Sequence, residues 1–171
     1  MGSGKSTIGP RLAKKLGYHF VDIDDIIEEE EGIPVSEIFA KHGERHFRNL
    51  EKSMLVEIYK DKKNIVVALG GGTLTQMENR EIVRHGGILI YLRTHPKTII
   101  ERVKKGKINR PMLLAPDGSK LSEKELSHRI ASLLKEREAH YMEAAIVIDT
   151  SEKSVNGAVE EIASKLKGRI T

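Results

Sequence analysis

Cysteine and tryptophan are absent from this 171-residue chain. Without cysteine there can be no disulfides and no thiolate metal sites, a composition that suits a reducing compartment, and a cytoplasmic location is expected. Aromatics are scarce as well: three phenylalanines and four tyrosines, rarely near a lysine or arginine. A nucleic-acid-binding surface more often interleaves aromatics with a basic stripe. The net charge of +4 is therefore read as a basic surface plus a few arginines aimed at small anions, with no nucleic-acid partner. No apolar run approaches the ~18 residues needed to cross a bilayer, and no signal peptide is recognised, so no membrane partner is expected. What remains, 39% hydrophobic and 32% charged residues, describes one globular domain, 1–171, large enough for a real core.

The most informative segment comes first. Gly2-Ser3-Gly4-Lys5-Ser6-Thr7 matches the back half of the phosphate-binding pattern G-x-x-x-x-G-K-[ST], whose first glycine would fall ahead of Met1. In such a loop backbone N–H groups face the phosphates, the lysine neutralises them and the last hydroxyl ligates magnesium. Glycines are needed because a side chain would block the approach of backbone to anion. An amphipathic helix follows, with Ile8, Leu12 and Leu16 at i, i+4 and i+8 and Gly17 as its stop.

Short apolar runs at 18–23, 65–69, 88–92 and 146–148 alternate with helical segments at 24–31, 35–42, 44–61, 96–105, 122–144 and 154–167. Runs without period-two alternation, each followed by a helix, predict a parallel sheet covered on both faces. Thr75 and Glu78, and again Ser122 and Glu125, have capping-box spacing. Residues 106–121, with two glycines and two prolines and little periodicity, read as a mobile lid. The helices over about 33–61 are expected to bind the acceptor.

In such a sheet, ligands sit beyond the carboxyl ends of the strands. Asp22 and Asp24 lie there, two apart on an extended chain, one suited to magnesium-bound water and the other to an acceptor hydroxyl; capping of the next helix is the plainer alternative. Gly70-Gly71-Gly72 ends another strand, and three consecutive glycines imply close backbone approach to something. Arg48 can pair with Glu51 three residues on, Arg110 precedes Pro111 in the lid, and Arg137 stands four before Tyr141. Guanidinium forks suit a small carboxylate-bearing acceptor. His42 and His46 have i, i+4 spacing but no third ligand.

With these residues in view, the chain resembles the shikimate kinases through nearly its whole length. The resemblance rests on Gly2 to Thr7, Asp22-Ile23-Asp24, Ile38-Phe39, Gly43-Glu44-Arg45-His46-Phe47-Arg48 with Glu51, Leu69-Gly70-Gly71-Gly72, Arg110-Pro111-Met112-Leu113-Leu114, and Arg137 to Tyr141. It implies a nucleoside-monophosphate-kinase-like three-layer α/β/α fold and magnesium-dependent transfer of the γ-phosphoryl group of ATP to the 3-hydroxyl of shikimate, by a monomer, within aromatic amino-acid biosynthesis. It also implies that Gly2, Ser3, Gly4, Lys5, Ser6 and Thr7 hold the nucleotide, with Ser6 on magnesium and Asp22 acting through a metal-bound water. Asp24 then meets the acceptor hydroxyl as its base. Arg48 and Arg137 grip the carboxylate beside Gly70, Gly71 and Gly72. Phe39 and Phe47 wall the pocket, Glu51 orients Arg48, Arg102 lies near the adenine, and Arg110 closes with the lid onto the transferring charge. A gluconate-type kinase, or a non-catalytic P-loop binding module, is the alternative.

Family members carry an apolar strand and one more glycine ahead of the position of Met1, central in the sheet. Without it, neighbouring strands are expected to lose backbone partners at about 1–3 kcal/mol for each unsatisfied buried group. The chain, read as a truncated or misassigned frame, is then expected to fold poorly or to be weakly active.

Overall fold

A computed structural model of the chain describes residues 2–61, 64–105, 113–115 and 119–170. Helix α1 (Lys5–Leu16) starts directly after Gly4, whose φ of 101° is a value open to glycine but strained for other residues. Ile8 and Leu12 are its buried positions, and Gly17 in the left-handed region ends it. Strand β1 (His19–Asp22) leads into α2 (Ile23–Glu31), and α3 (Val35–Asp61) follows. The break predicted at Gly43 is a kink inside α3, where φ is 78° and ψ 171°. Then come β2 (Ile65–Ala68), a 3₁₀ turn at Thr73–Thr75, α4 (Met77–Gly86), β3 (Ile90–Arg93), α5 (Pro96–Lys105), α6 (Glu123–Tyr141), β4 (Ile146–Asp149) and α7 (Val155–Leu166).

The strands form two parallel pairs rather than one sheet. β1 pairs with β2 in the register His19 to Ile65, and β3 with β4 in the register Ile90 to Ile146. Between the pairs lies a largely apolar cavity of about 830 Å³. Every residue of β2 lines it, as do residues 88–92, which include the first three residues of β3, whereas β4 contributes none. The edges facing the cavity are thus those of β2 and β3. Ile8 and Leu12 of α1 and Ile162 and Leu166 of α7 line it as well. Among the described residues neither edge has a ladder partner.

Three apolar clusters hold the elements together. Ile8 and Leu12 pack with Ile146, Ile148, Val159 and Ile162 across α1, β4 and α7. Ile23, Ile27, Ile38, Phe47 and Leu55 join α2 to α3. Ile99, Leu113, Ile130 and Leu133 join α5, α6 and a short piece of the segment expected to be a lid. There Leu114 and Lys120 form an antiparallel bridge; most of the remaining lid residues lie outside the described set.

Two local readings are corrected. The capping box at Ser122 and Glu125 forms, but the one at Thr75 and Glu78 does not. Helix α4 begins later, at Met77, because the Thr75 hydroxyl donates to the Gly72 carbonyl at 2.7 Å and closes the 3₁₀ turn instead. Asp24 is not on extended chain either. It lies in the first turn of α2, whose cap is Asp22, with Asp22 Oδ1 accepting from the Asp24 N–H at 3.2 Å.

Candidate active site

Gly2, Ser3 and Gly4 pass in front of the N-terminus of α1, where the helix dipole favours an anion. The loop is held from behind. Arg102 donates to the Gly2 carbonyl at 3.1 Å and to the Thr150 carbonyl at 2.7 Å. The buried Thr150 hydroxyl donates to the Ser3 carbonyl at 3.2 Å and pairs with Thr94 at 2.6 Å. Arg102, expected beside the adenine, is thus bonded to backbone carbonyls as a brace of the loop. Thr94 and Thr150 were missed by the sequence reading because nothing local marks a strand-end threonine as a loop support.

Ser6 Oγ donates to Asp22 Oδ2 at 3.1 Å, bringing a hydroxyl and a carboxylate together at the mouth of the loop. Both are hard oxygen donors of the type magnesium takes, so the residues present fit that ion. Asp24 is the next acidic group. Its Oδ1 is buried and has no hydrogen-bond partner among the described residues. Burial, then repulsion from Asp22 and Glu51, raises its pKa to about 6, against the opposing pull of Lys5 and Arg48. Lys5, Asp24 and Arg48 therefore share one electrostatic neighbourhood.

The kink at Gly43 opens the second half of α3, where Arg48 and Glu51 are three residues apart on one face. Both are buried, Arg48 at 7% exposure and Glu51 at 0%. Arg48 Nη1 donates to Glu51 Oε2 at 2.6 Å, and its Nη2 donates to Glu44 Oε1 at 2.8 Å. Its guanidinium lies over Phe47 and Phe39, 5.5 and 5.9 Å from the ring centroids, and the two rings are 4.8 Å apart. The triple glycine explains itself here. A β-carbon on Gly72 would lie within 2.6 Å of all three terminal guanidinium atoms of Arg48. One on Gly70 would lie 2.6 Å from Glu51 Oε1 and 2.9 Å from Asp24 Oδ1.

Arg137, 8% exposed on α6, reaches the same loop through Tyr141. The Tyr141 hydroxyl donates to the Gly71 carbonyl at 2.5 Å. Burial pushes the phenol pKa up while Arg137, which hydrogen-bonds it, and Arg48 pull it down. Both arginines thus act on one tyrosine. Lys5, Gly70, Gly71 and Arg137 line the cavity between β2 and β3, whereas Arg48 lines a separate hollow with Glu44 and Lys52. Thr73 and Asn79 also belong to this network but were not picked out, and Glu44, quoted in its motif, had been given no role; Thr73 directly follows the glycines, the one available clue. Arg110 lies outside the described residues.

The arrangement offers a phosphate loop, a hydroxyl–carboxylate pair fit for magnesium, a carboxylate with one oxygen left over, and buried arginines for a carboxylate-bearing acceptor. Comparison with known proteins agrees. The family described as "Shikimate kinase" matches residues 1–167. The shikimate kinase of Chlorobaculum tepidum is 44% identical over 169 residues, covering 99% of this chain and 87% of that protein. That of Chlorobium chlorochromatii is 44% identical over 166 residues, covering 97% and 86%. Among solved structures, the shikimate kinase from Acinetobacter baumannii in complex with shikimate superposes with a TM-score of 0.88 at 34% identity, over 99% of this chain and 90% of that one. This chain belongs to the shikimate kinase family.

Proposed function

We propose that the protein transfers the γ-phosphoryl group of ATP to the 3-hydroxyl of shikimate. The observation that carries this reading is the placement of Asp24. Its buried Oδ1 has no partner among the described residues, and Lys5 and Arg48 both act on its charge. Asp24 takes the proton of the attacking hydroxyl, the hydroxyl oxygen forms the new bond to phosphorus, and the bond to the ADP oxygen breaks. A base whose pKa is raised to about 6 remains mostly ionised at neutral pH while binding a proton more readily than an ordinary aspartate. Lys5 and the loop N–H groups hold the phosphates, and Ser6 and Asp22 would hold magnesium, which neutralises phosphate charge. Arg48 and Arg137 grip the acceptor carboxylate and set its hydroxyl on Asp24. Positioning and charge neutralisation are what phosphoryl transfer chiefly needs.

The relatives' shared name and the shikimate-bound structure from A. baumannii support this substrate. Arg110 acts on the transferring charge from the lid, and the protein works as a cytoplasmic monomer. No helix among the described residues is long and apolar enough to cross a membrane. The test is a coupled ADP-release assay with shikimate, gluconate and nucleoside monophosphates as acceptors. Turnover with shikimate alone supports the proposal. Turnover with gluconate, or ATP binding without turnover on any acceptor, replaces it by one of the two alternatives.

A further inference from the structure

The oxygens of Asp24, Glu51 and Thr73 converge on one point above Gly70. A β-carbon there would meet Glu51 Oε1 at 2.6 Å, Asp24 Oδ1 at 2.9 Å and Thr73 Oγ1 at 3.1 Å. Two carboxylates so close compete for the hydrogen-bond donors within reach. Thr73 settles the competition. Its hydroxyl donates to Glu51 Oε1, while Glu51 Oε2 receives Arg48 at 2.6 Å. Both oxygens of the fully buried Glu51 are thereby bonded, and Asp24 Oδ1 is left over.

Thr73 is itself locked. It is fully buried, its N–H donates to the Gly70 carbonyl at 3.2 Å, and its carbonyl accepts from the Asn79 side chain at 3.0 Å. Asn79 is fully buried too. Two fixed backbone bonds thus aim one hydroxyl at one carboxylate oxygen, which in turn aims the guanidinium over the glycines.

From this geometry we infer that Thr73 is a positioning residue for phosphoryl transfer: its hydroxyl commits Glu51 to Arg48 and keeps Asp24 free for the acceptor hydroxyl. This deepens the proposed function and rests on it. Asn79 acts one step further out, by fixing Thr73.

The test compares Thr73→Ser, which keeps the hydroxyl, with Thr73→Ala, which removes it; neither adds bulk to the buried site. Thr73→Val, close to threonine in volume, is the third variant. Shikimate KM and kcat are measured, and shikimate affinity separately by calorimetry. The serine variant is expected within about twofold of wild type. The alanine and valine variants are expected to raise KM and Kd for shikimate about tenfold, with a smaller change in KM for ATP. In an E51Q background the alanine substitution should add little, because the path through Glu51 is already cut. Equal shikimate KM in the serine and alanine variants overturns the relay, as does a serine variant no better than valine. A wild-type protein that neither binds nor phosphorylates shikimate overturns the functional reading and this inference together, so the two failures are distinguishable.

Discussion

Replacing Gly72 by alanine is the sharpest steric test of the acceptor grip. Gly72 has φ −106° and ψ −5°, a conformation alanine adopts freely, so the substitution adds a methyl group without backbone strain. That methyl would fall within 2.6 Å of Arg48 Cζ, Nη1 and Nη2, far inside contact distance. Something must move, and the guanidinium has little room. Nη1 is tied to Glu51, Nη2 to Glu44, and Phe39 and Phe47 close one side. Displacing it misaligns the fork proposed to receive the acceptor carboxylate. A hydrogen bond to a charged group is worth about 1.5–3 kcal/mol, so losing one lowers shikimate affinity by about 10- to 150-fold. The buried Arg48–Glu51 pair is disturbed as well, and stability should fall by ~1–3 kcal/mol. The assay is steady-state kinetics with both substrates varied, alongside thermal unfolding. KM for shikimate should rise by at least tenfold while KM for ATP changes little, since the atoms nearest the added methyl are those of Arg48. A cooperatively folded G72A protein with shikimate KM within twofold of wild type would refute the steric argument.

Other perturbations separate the remaining parts. Asp24→Asn should abolish turnover, and it should also stabilise the protein at neutral pH. The wild-type carboxyl titrates near 6 when folded and near 3.9 when unfolded, so the cost of ionising it in place is absent below about pH 4 and complete above about pH 6. The Tm advantage of the asparagine variant should therefore grow across that interval and then level off; an advantage independent of pH would contradict the assignment of the shift. Arg137→Ala should raise KM for shikimate about tenfold and weaken Tyr141 as a tie to Gly71, read by the same kinetics; unchanged acceptor affinity would remove Arg137 from the grip. Arg102→Ala should raise KM for ATP with little effect on shikimate, because its two carbonyl bonds brace the loop; calorimetry with ATP checks this. Fusing a five-residue Val/Ile-rich segment ahead of Gly2 should fill the cavity between β2 and β3. Four new ladder bonds at about 0.5–1.5 kcal/mol each correspond to a rise in Tm on the order of 10 °C for a chain of this size. A charged segment of equal length serves as control, and equal melting of the two would exclude strand insertion.

The helices were legible because their signals are local: the stripe of Ile8, Leu12 and Leu16 with Gly17, the break at Gly43, the cap at Ser122. The four apolar runs were legible for the same reason. The pairing of those runs was less so, since a strand's partner is set by elements distant in sequence. Thr75 shows the limit of spacing rules, because its hydroxyl found the Gly72 carbonyl before it could cap a helix. Asp22 lies at the end of its strand as read, but Asp24 does not share its extended conformation, helix entry having begun one residue earlier than the apolar run suggested. At the site, Gly70 and Gly72 stood out because consecutive glycines are costly to fold, and the structure supplies the reason in Asp24, Glu51 and Arg48. Thr73 and Asn79 carried no such mark. Their importance comes from burial and from partners up to 22 residues away, which a linear reading does not encode.

The central claim is that Asp24, Lys5 and the buried arginines form one site for a carboxylate-bearing alcohol. Its most direct measurement is ADP release by the wild-type and Asp24→Asn proteins with ATP, magnesium and saturating shikimate, followed by phosphorus NMR of the product. The account predicts shikimate 3-phosphate from the wild type, and from the variant unimpaired shikimate binding with turnover reduced at least a hundredfold. Comparable turnover by the two proteins, or a phosphorylated product other than this ester, would contradict it.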